Sequence, residues 1–156
     1  MATPVIENIL TDYQACLEAI TIANGYNTDI GQVTRLGVVP QDAAELPLIS
    51  FLGLSDSSEY EKECGGKGGR VRVDVTVTLG VYMTNDSHDP EKDILGFMAD
   101  IEKASETGYD RDGNAWMTKV VSKEIVLLME DEPLVLAMVE VWIKYRRKFK
   151  EPETVA

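Results

Sequence analysis

The chain of 156 residues carries a formal net charge of −12, with 44% hydrophobic and 27% charged residues. This length and composition are typical of one folded domain, and the acidic balance disfavours an independent nucleic-acid-binding module, because such modules need a basic footprint. No apolar run approaches the roughly 20 residues that a transmembrane helix requires, so we expect no membrane span.

An amphipathic helix is predicted over residues 4–23. Pro4 suits the first helical turn, where the N–H that proline lacks would have no partner in the helix. Apolar side chains recur at steps of three and four residues and form one stripe. The stripe consists of Ile6, Ile9, Leu10, Tyr13, Leu17 and Ile20. Asn24 and Gly25 are expected to end this helix, because glycine adopts the left-handed conformation of a helix C-terminus without steric cost.

The segment that follows, "NGYNTDIG", is interpreted as a joint between the helix and the first strand. Its glycines come after a helix, whereas a phosphate-binding loop places them before one, and their spacing matches no nucleotide-binding pattern. Tyr26 is expected to anchor the turn in the core or at a subunit edge. Asn27 and Asp29 are expected to hydrogen-bond their own backbone, as these residue types do in turns.

Three strands are predicted next, over residues 33–39, 48–54 and 70–83. The third is the clearest, because valines alternate with polar residues along "RVRVDVTVTLGVYM" and predict one buried and one wet face. The second and third strands are expected to form a hairpin. Its tip is the glycine-rich segment 55–70, which is predicted to be a mobile loop.

The rest of the chain predicts a second helix and a second hairpin. Asp89, Pro90 and Glu91 are typical of a helix start, and the helix is expected to end near residues 105–108. Strands are predicted over residues 119–130 and 134–149, joined by a turn. The order α-β-β-β-α-β-β predicts a single α+β domain over residues 1–156, with an antiparallel or mixed sheet, helices packed on one face and a long glycine-tipped hairpin.

No catalytic, cofactor or metal site is expected. Residues 110–116, "DRDGNAW", resemble a calcium loop. They have Ala115 where such a loop needs glycine at its sixth position, and Val121 where it needs glutamate at its twelfth, so a solvated turn is favoured. His88 has no nucleophile in a known signature beside it and is interpreted as a surface residue before a helix cap. Cys16 and Cys64 are predicted to be reduced cysteines of a cytosolic protein, the first for packing and the second exposed. The acids at 130–132 are expected to face water.

The segment "KYRRKFK", residues 144–150, reverses the charge and contains five of the 15 basic residues. On a strand, one face would carry Lys144, Arg146, Lys148 and Lys150, and the other would carry Arg147 with Tyr145 and Phe149. Two interpretations stay open: a solvated strand end and a docking patch. As a docking patch, this basic strip is complementary to an acidic region of a second copy, which favours head-to-tail association and a ring if the rotation closes.

The order of elements, with "ANGYNTDIG", "ELPLISFLGLSD", "RVRVDVTVTLGVY" and a closing hairpin "KEIVLL…VEVWIKYRR", resembles the tail terminator proteins of long-tailed, non-contractile bacteriophages. The resemblance covers about residues 5–148. It implies a structural virion protein without a cofactor: a hexameric ring that caps the tail tube protein, stops tube polymerisation and presents a surface to the head connector or neck protein. It implies assembly in the host cytoplasm and a place at the head-proximal end of the tail.

Two further expectations follow from the resemblance. Genomic DNA would pass through an acidic lumen without specific binding, since such a lumen offers no contacts that release counterions. The loop between the early strands, which becomes ordered on assembly in that family, adds interface residues to the basic strip: Glu61, Lys62, Lys67 and Arg70. Another neck, head-completion or minor tail protein, an acidic ligand-binding domain unrelated to phages, and a metal-dependent enzyme are kept as alternatives.

Overall fold

A computed structural model describes residues 2–35, 37, 46–61, 69–128 and 134–156. The described residues form two α-helices, a short 3-10 turn and six strands, which confirms the predicted α+β class. The helices are α1 (Val5–Glu18) and α2 (Pro90–Thr107), and the 3-10 turn is Ile22–Asn24. The strands are β1 (Gln32–Thr34), β2 (Leu48–Tyr60), β3 (Arg70–Thr84), β4 (Met117–Leu128), β5 (Leu134–Lys148) and β6 (Glu151–Val155).

The strands form one mixed sheet in the order β1-β2-β3-β5-β4, with β6 paired to the end of β5. β1 runs parallel to β2, and the other pairs are antiparallel. The centre of the sheet is the ladder between β3 and β5, which continues without a register shift from Arg70 opposite Lys148 to Thr84 opposite Leu134. This ladder fixes which side chains share each face.

One face of the sheet packs against both helices and forms the core. Alternate residues of β3 and β5 on this face are buried, as the alternation in the sequence predicts. They meet the apolar stripes of α1 and α2, including Tyr13 and Phe97, which have no exposed surface. The opposite face, called here the outer face, carries Arg72, Asp74 and Thr76 of β3, which are half-buried.

The predicted boundaries of the first helix and the joint need correction. α1 ends at Glu18, and Gly25 (φ 84°) caps the following 3-10 turn rather than the helix. Tyr26 does pack against the core, where the ammonium of Lys103 lies 4.8 Å from the centre of its ring. The joint is therefore held by contacts with α2.

Asn27 and Asp29 do not make the local turns that were expected. The backbone N–H of Asn27 donates to both carboxylate oxygens of Asp100 on α2, at 3.1 and 3.0 Å, and its side-chain amide donates at 2.9 Å. Asp100 is buried on α2, and a carboxylate is a stronger acceptor than the nearby backbone carbonyls. Asp29 accepts from the backbone N–H of Ile22 at 2.8 Å, seven residues earlier.

Three strand predictions also change. The described part of β1 is shorter than 33–39, and residues 36 and 38–39 lie outside the described residues. β2 is longer than predicted, because residues 55–60 pair with β3 as far as Tyr60 opposite Val71, so the mobile-loop prediction for them is wrong.

The tip, 62–68, and the turn, 131–133, lie outside the described residues. β6 was not predicted; it returns along β5 after a turn at Lys150 (φ 65°).

Residues 110–116 form a turn, as predicted, but they also place a buried arginine. Arg111 has φ 48° and no exposed surface. Its guanidinium donates to the carbonyl of Ser105 at 2.7 Å, to the Thr118 hydroxyl at 3.1 Å and to the Asp12 carboxylate at 3.3 Å. It also lies 5.0 Å from the ring centre of Tyr13. One cation thus joins α1, the end of α2 and the start of β4.

Replacing Arg111 by alanine is expected to lower the free energy of unfolding by about 3–5 kcal/mol, because it removes one partner of a largely buried ion pair and leaves buried acceptors unpaired. The matched control is Arg35→Ala, which breaks a more exposed ion pair with Glu7 and should cost about 1 kcal/mol or less. Chemical denaturation measures both. Equal losses for the two variants would contradict the role assigned to Arg111.

Burial raises the pKa of the Tyr13 hydroxyl to about 12, although its hydrogen bond with Ser105 at 2.8 Å opposes the rise. The folded state therefore holds this proton more tightly than the unfolded state. The contribution of this bound proton to the free energy of unfolding is complete below pH 10. About 3 kcal/mol of stability is then lost as pH rises towards about 12. We expect Tyr13→Phe to flatten the alkaline part of the stability–pH curve, measured by urea unfolding. An unchanged alkaline slope would contradict this.

Candidate interaction surface

The predicted basic strip lies at the end of β5, and the structure divides it. Lys144 and Arg146 are on the outer face, whereas Arg147 shares the helix-covered face with Tyr145, as the alternation predicts. Burial raises the pKa of Tyr145, and the charge of Arg147 opposes that rise. β5 ends at Lys148, so Lys150 belongs to the turn before β6 and does not continue the row of cations; this part of the prediction is wrong.

An exposed tryptophan lies close to two arginines of the outer face. The ladder places Arg72 directly opposite Arg146, an arrangement that like charges make unfavourable. The guanidinium of Arg146 lies 4.5 Å from the ring centre of Trp116, and that of Arg72 lies at 5.5 Å. Arg146 also donates to Glu61 at 2.9 Å. The ring and the carboxylate therefore offset the repulsion, and Trp116 keeps 43% of its surface exposed.

A second tryptophan repeats this arrangement one step along the sheet. The ammonium groups of Lys119 and Lys144 lie 5.6 and 5.8 Å from the ring centre of Trp142. Its indole N–H donates to Glu140 at 3.1 Å, and 38% of the side chain is exposed. A cavity of about 210 Å³ opens beside this ring, lined partly by Ser57.

These two groups form one surface, called here the tryptophan face. It consists of Trp116, Trp142, Arg72, Arg146, Lys119 and Lys144. Tryptophan and arginine are enriched where protein interfaces derive most of their binding energy, and a cation held over a ring keeps its position at low entropic cost. The four cations of the face meet three hydrogen-bonded carboxylates, those of Asp74, Glu61 and Glu140, on a chain of net charge −12. The face is suited to bind an acidic protein surface.

The other predicted interface residues are placed as follows. Glu61 joins the tryptophan face through Arg146, and its backbone N–H donates to Arg70 at the start of β3. Arg70 is exposed opposite Lys148, and Lys148 lies 3.8 Å from Glu151 of β6. Lys62 and Lys67 lie outside the described residues. The structure therefore brings together Lys144, Arg146 and Glu61, with Arg70 bonded to Glu61 beside them, whereas Arg147 lies on the other face and Lys150 in the turn before β6.

Sequence reasoning missed four members of the tryptophan face: Arg72, Trp116, Lys119 and Trp142. The polar face of β3 was recognised, but only the strand register puts Arg72 beside Arg146. Trp116 precedes β4, and its position over β5 depends on the hydrogen bond from its backbone N–H to the carbonyl of Lys144 at 2.9 Å. The sequence signal that could have indicated this face was the presence of aromatic residues, such as Trp142, next to the basic end of a strand.

A separate cleft of about 700 Å³ lies between the joint, the start of β2 and the first turns of α2. Asn27, Asp29 and Lys92 supply polar groups, and Met83 and Leu95 supply apolar surface. Its size lies in the range of small-molecule sites. It is distinct from the tryptophan face in the elements that line it.

The remaining candidates have ordinary roles in the structure. His88 is exposed next to Asp89, whose carboxylate caps α2 by accepting from the backbone N–H of Lys92 at 3.1 Å, as predicted. Cys16 is partly buried on α1, and Cys64 lies outside the described residues. Within the described ranges, no three His, Cys, Asp or Glu residues are grouped so as to bind a metal, and neither helix is long and apolar enough to span a bilayer.

The chain matches no model of a known protein family, and no curated protein matches it. The assignment of a function therefore depends on the geometry of this surface and on the resemblance of the sequence.

Removal of either indole is expected to leave the fold stable. Trp116→Ala and Trp142→Ala should each lower the free energy of unfolding by no more than about 2 kcal/mol, because these side chains are already 43% and 38% exposed. Phe97→Ala should cost about 3–5 kcal/mol, because it opens a cavity in the core. Guanidinium unfolding of the three variants provides the comparison. Losses for the tryptophan variants as large as that for Phe97→Ala would mean that the face serves stability rather than binding.

Proposed function

We propose that this chain is a structural protein of the phage tail terminator type. It closes into a hexameric ring on the end of a tail tube, stops tube polymerisation, and offers its other side to the head connector or neck protein. It acts in the virion, without catalysis or a cofactor. The observation that carries the proposal is the tryptophan face, an exposed aromatic and cationic surface on an otherwise acidic chain.

Charge segregation supports association between copies. A cationic face on one copy attracts an acidic region on the next, and two different surfaces in contact make a head-to-tail interface, which closes into a ring when the rotation permits. The aromatic rings supply apolar area at the centre of such a contact. Lys119 and Lys144, whose ammonium groups lie within 5.8 Å of the ring centre of Trp142, are the cations that we assign first to this contact.

The acidic balance of the chain supports passage of DNA. With the cations used at contacts between subunits, the surface that remains has an excess of carboxylates. Such a surface repels a phosphate backbone and offers few groups that release counterions, so DNA would move through the ring without being held.

Two other roles stay in competition. Another neck or head-completion protein would use the same face in a different position of the virion. Such a protein would not cap tail tubes, whereas a terminator would, so tube binding separates these two roles. A ligand-binding domain is favoured by the cleft beside the joint, whose polar and apolar lining is typical of small-molecule sites.

The decisive measurement is capping of tail tubes that lack a terminator, observed by electron microscopy, together with native mass spectrometry of the free protein. We expect the wild-type chain to form six-fold rings on tube ends and to prevent further growth of the tube. The variant Lys119→Glu/Lys144→Glu should lose at least about tenfold in affinity for the tube end. It replaces both cations beside Trp142 by carboxylates, which an acidic partner surface repels.

The matched control is Lys92→Glu/Lys123→Glu, which changes the net charge by the same amount at exposed lysines outside the tryptophan face. It should cap tubes normally. Normal capping by Lys119→Glu/Lys144→Glu would show that the tryptophan face is not part of the interface. Failure of the wild-type chain to cap any tube would refute the terminator role itself.

A further inference from the structure

The far edge of β2 differs from the other strand edges of the sheet. β1 pairs only with residues 48–50 of β2, and the backbone N–H of Gly37 donates to Phe51. From Gly53 to Tyr60, β3 occupies one edge, and no strand of the described ranges pairs with the other. This segment runs without a register shift and, among the described residues, forms a regular edge strand.

The hydrogen-bond pattern identifies the backbone groups that point away from β3. Glu61 donates to the carbonyl of Arg70, directly opposite, so Glu61 and Arg70 are a hydrogen-bonded pair. Antiparallel ladders alternate between bonded and non-bonded pairs. The alternation therefore directs the N–H and C=O groups of residues 54, 56, 58 and 60 outward, where they are available to a second strand.

The opposite edge of the sheet, formed by β4, has the features that protect edges from pairing. Its ladder with β5 is interrupted by two register shifts, and lysines project from it. Bulges and lysines are common devices against edge-to-edge association. β2 has neither a proline nor a lysine within Leu48–Tyr60, and no shift after Gly53. β2 does carry two acids, Asp56 and Glu59, so the two edges differ in their lysines and in the regularity of the backbone, which favours pairing at β2.

The sequence of this segment, Leu-Ser-Asp-Ser-Ser-Glu-Tyr over residues 54–60, is complementary to itself in one antiparallel register. When Ser57 lies opposite Ser57 of a second copy, Leu54 lies opposite Tyr60 and Asp56 opposite Ser58. In the same register Glu59 lies opposite Ser55, so no like charges face each other directly. In this register, residues whose backbone N–H and C=O groups point outward (54, 56, 58 and 60) lie opposite one another, so they can form hydrogen-bonded pairs between the two copies.

We propose that residues 54–60 pair with the same residues of a second copy, in this register, to form a two-fold symmetric dimer with a continuous sheet. Leu54 and Tyr60 are 56% and 60% exposed, and each would cover the other across the new pair. Tyr60 already packs edge-on against Phe149, with ring centres 5.8 Å apart, so its ring is held in place before pairing.

This dimer goes beyond the proposed ring and uses the edge of β2 rather than the tryptophan face, which it adjoins where Ser57 lines the cavity beside Trp142. A two-fold contact joins identical surfaces and ends at two copies, whereas the ring needs a head-to-tail contact. The two contacts also respond to salt in opposite directions. The copies each carry a net charge of −12, and the two Asp56 side chains would be diagonal neighbours, so screening strengthens the dimer. Screening weakens the attraction between a cationic face and an acidic surface.

Sedimentation equilibrium tests the dimer directly. We expect a reversible dimer whose dissociation constant falls as sodium chloride is raised from about 0.05 M to about 0.5 M. Ser58→Asp places an aspartate opposite Asp56 at two symmetric positions and should weaken the dimer roughly fivefold. Ser58→Lys places a lysine there and should strengthen it. Circular dichroism checks that both variants are folded.

Cysteine cross-linking tests the register, in a background that carries Cys16→Ser and Cys64→Ser. Ser57→Cys should form a disulfide-linked dimer on mild oxidation, because position 57 faces itself in a non-bonded pair with Cα atoms about 4.5 Å apart. Ser55→Cys is the matched control: it lies on the same face but opposite Glu59, so it should not cross-link. Equal cross-linking at both positions would refute the register.

A monomer at every concentration up to about 1 mM would overturn the proposal, and so would a dimer that Ser58→Asp does not weaken. The failure of the ring hypothesis is measured separately. Lys119→Glu/Lys144→Glu should leave the dimer intact, and Ser58→Asp should leave capping of tail tubes intact.

Discussion

The pairing of β3 with β5 is the constraint from which the rest of the molecule follows. Both strands have 15 residues and pair over their whole length, so one register fixes two faces at once. On one face it aligns buried aliphatic side chains, which α1 and α2 cover. On the other face it sets Arg72 against Arg146 and Thr76 against Trp142. A slip of one residue would exchange the faces and put the arginines into the core, so the hydrophobic pattern enforces the register and, with it, the outer surface.

The outer face keeps an arrangement that costs stability in isolation. Two arginines opposite each other in neighbouring strands repel, and here an indole ring and two carboxylates reduce that repulsion. A face selected only for stability would place opposite charges in those positions. The retained cations and the two exposed rings are better explained by a partner that meets them. The partner of an acidic chain with one cationic face can be another copy of the same chain, as the proposed ring requires.

The sequence predicted the class of fold, the central ladder strands and the cap of α2, because these depend on local periodicity and on single capping residues such as Asp89. It did not predict the full length of β2, where serines and acids have low strand propensity and pairing with β3 decides the conformation. Arg111 was also missed, since a charged residue in a polar turn gives no local sign of burial. The cations of the strip were found, but the residues that complete the tryptophan face come from three strands and the loop before β4. Only the register brings them together.

The contacts that hold the N-terminal region have a consequence for the order of folding. Tyr13 meets Ser105, Asp12 meets Arg111 and Asn27 meets Asp100, across sequence separations of 92, 99 and 73 residues. During synthesis, α1 and the joint leave the ribosome long before these partners exist. The apolar stripe of α1 therefore has no complete docking site until α2 and the turn at 110–116 have been made. Since contacts between distant residues form slowly, α1 and the joint, although synthesised before their partners, are among the last parts to acquire their final packing.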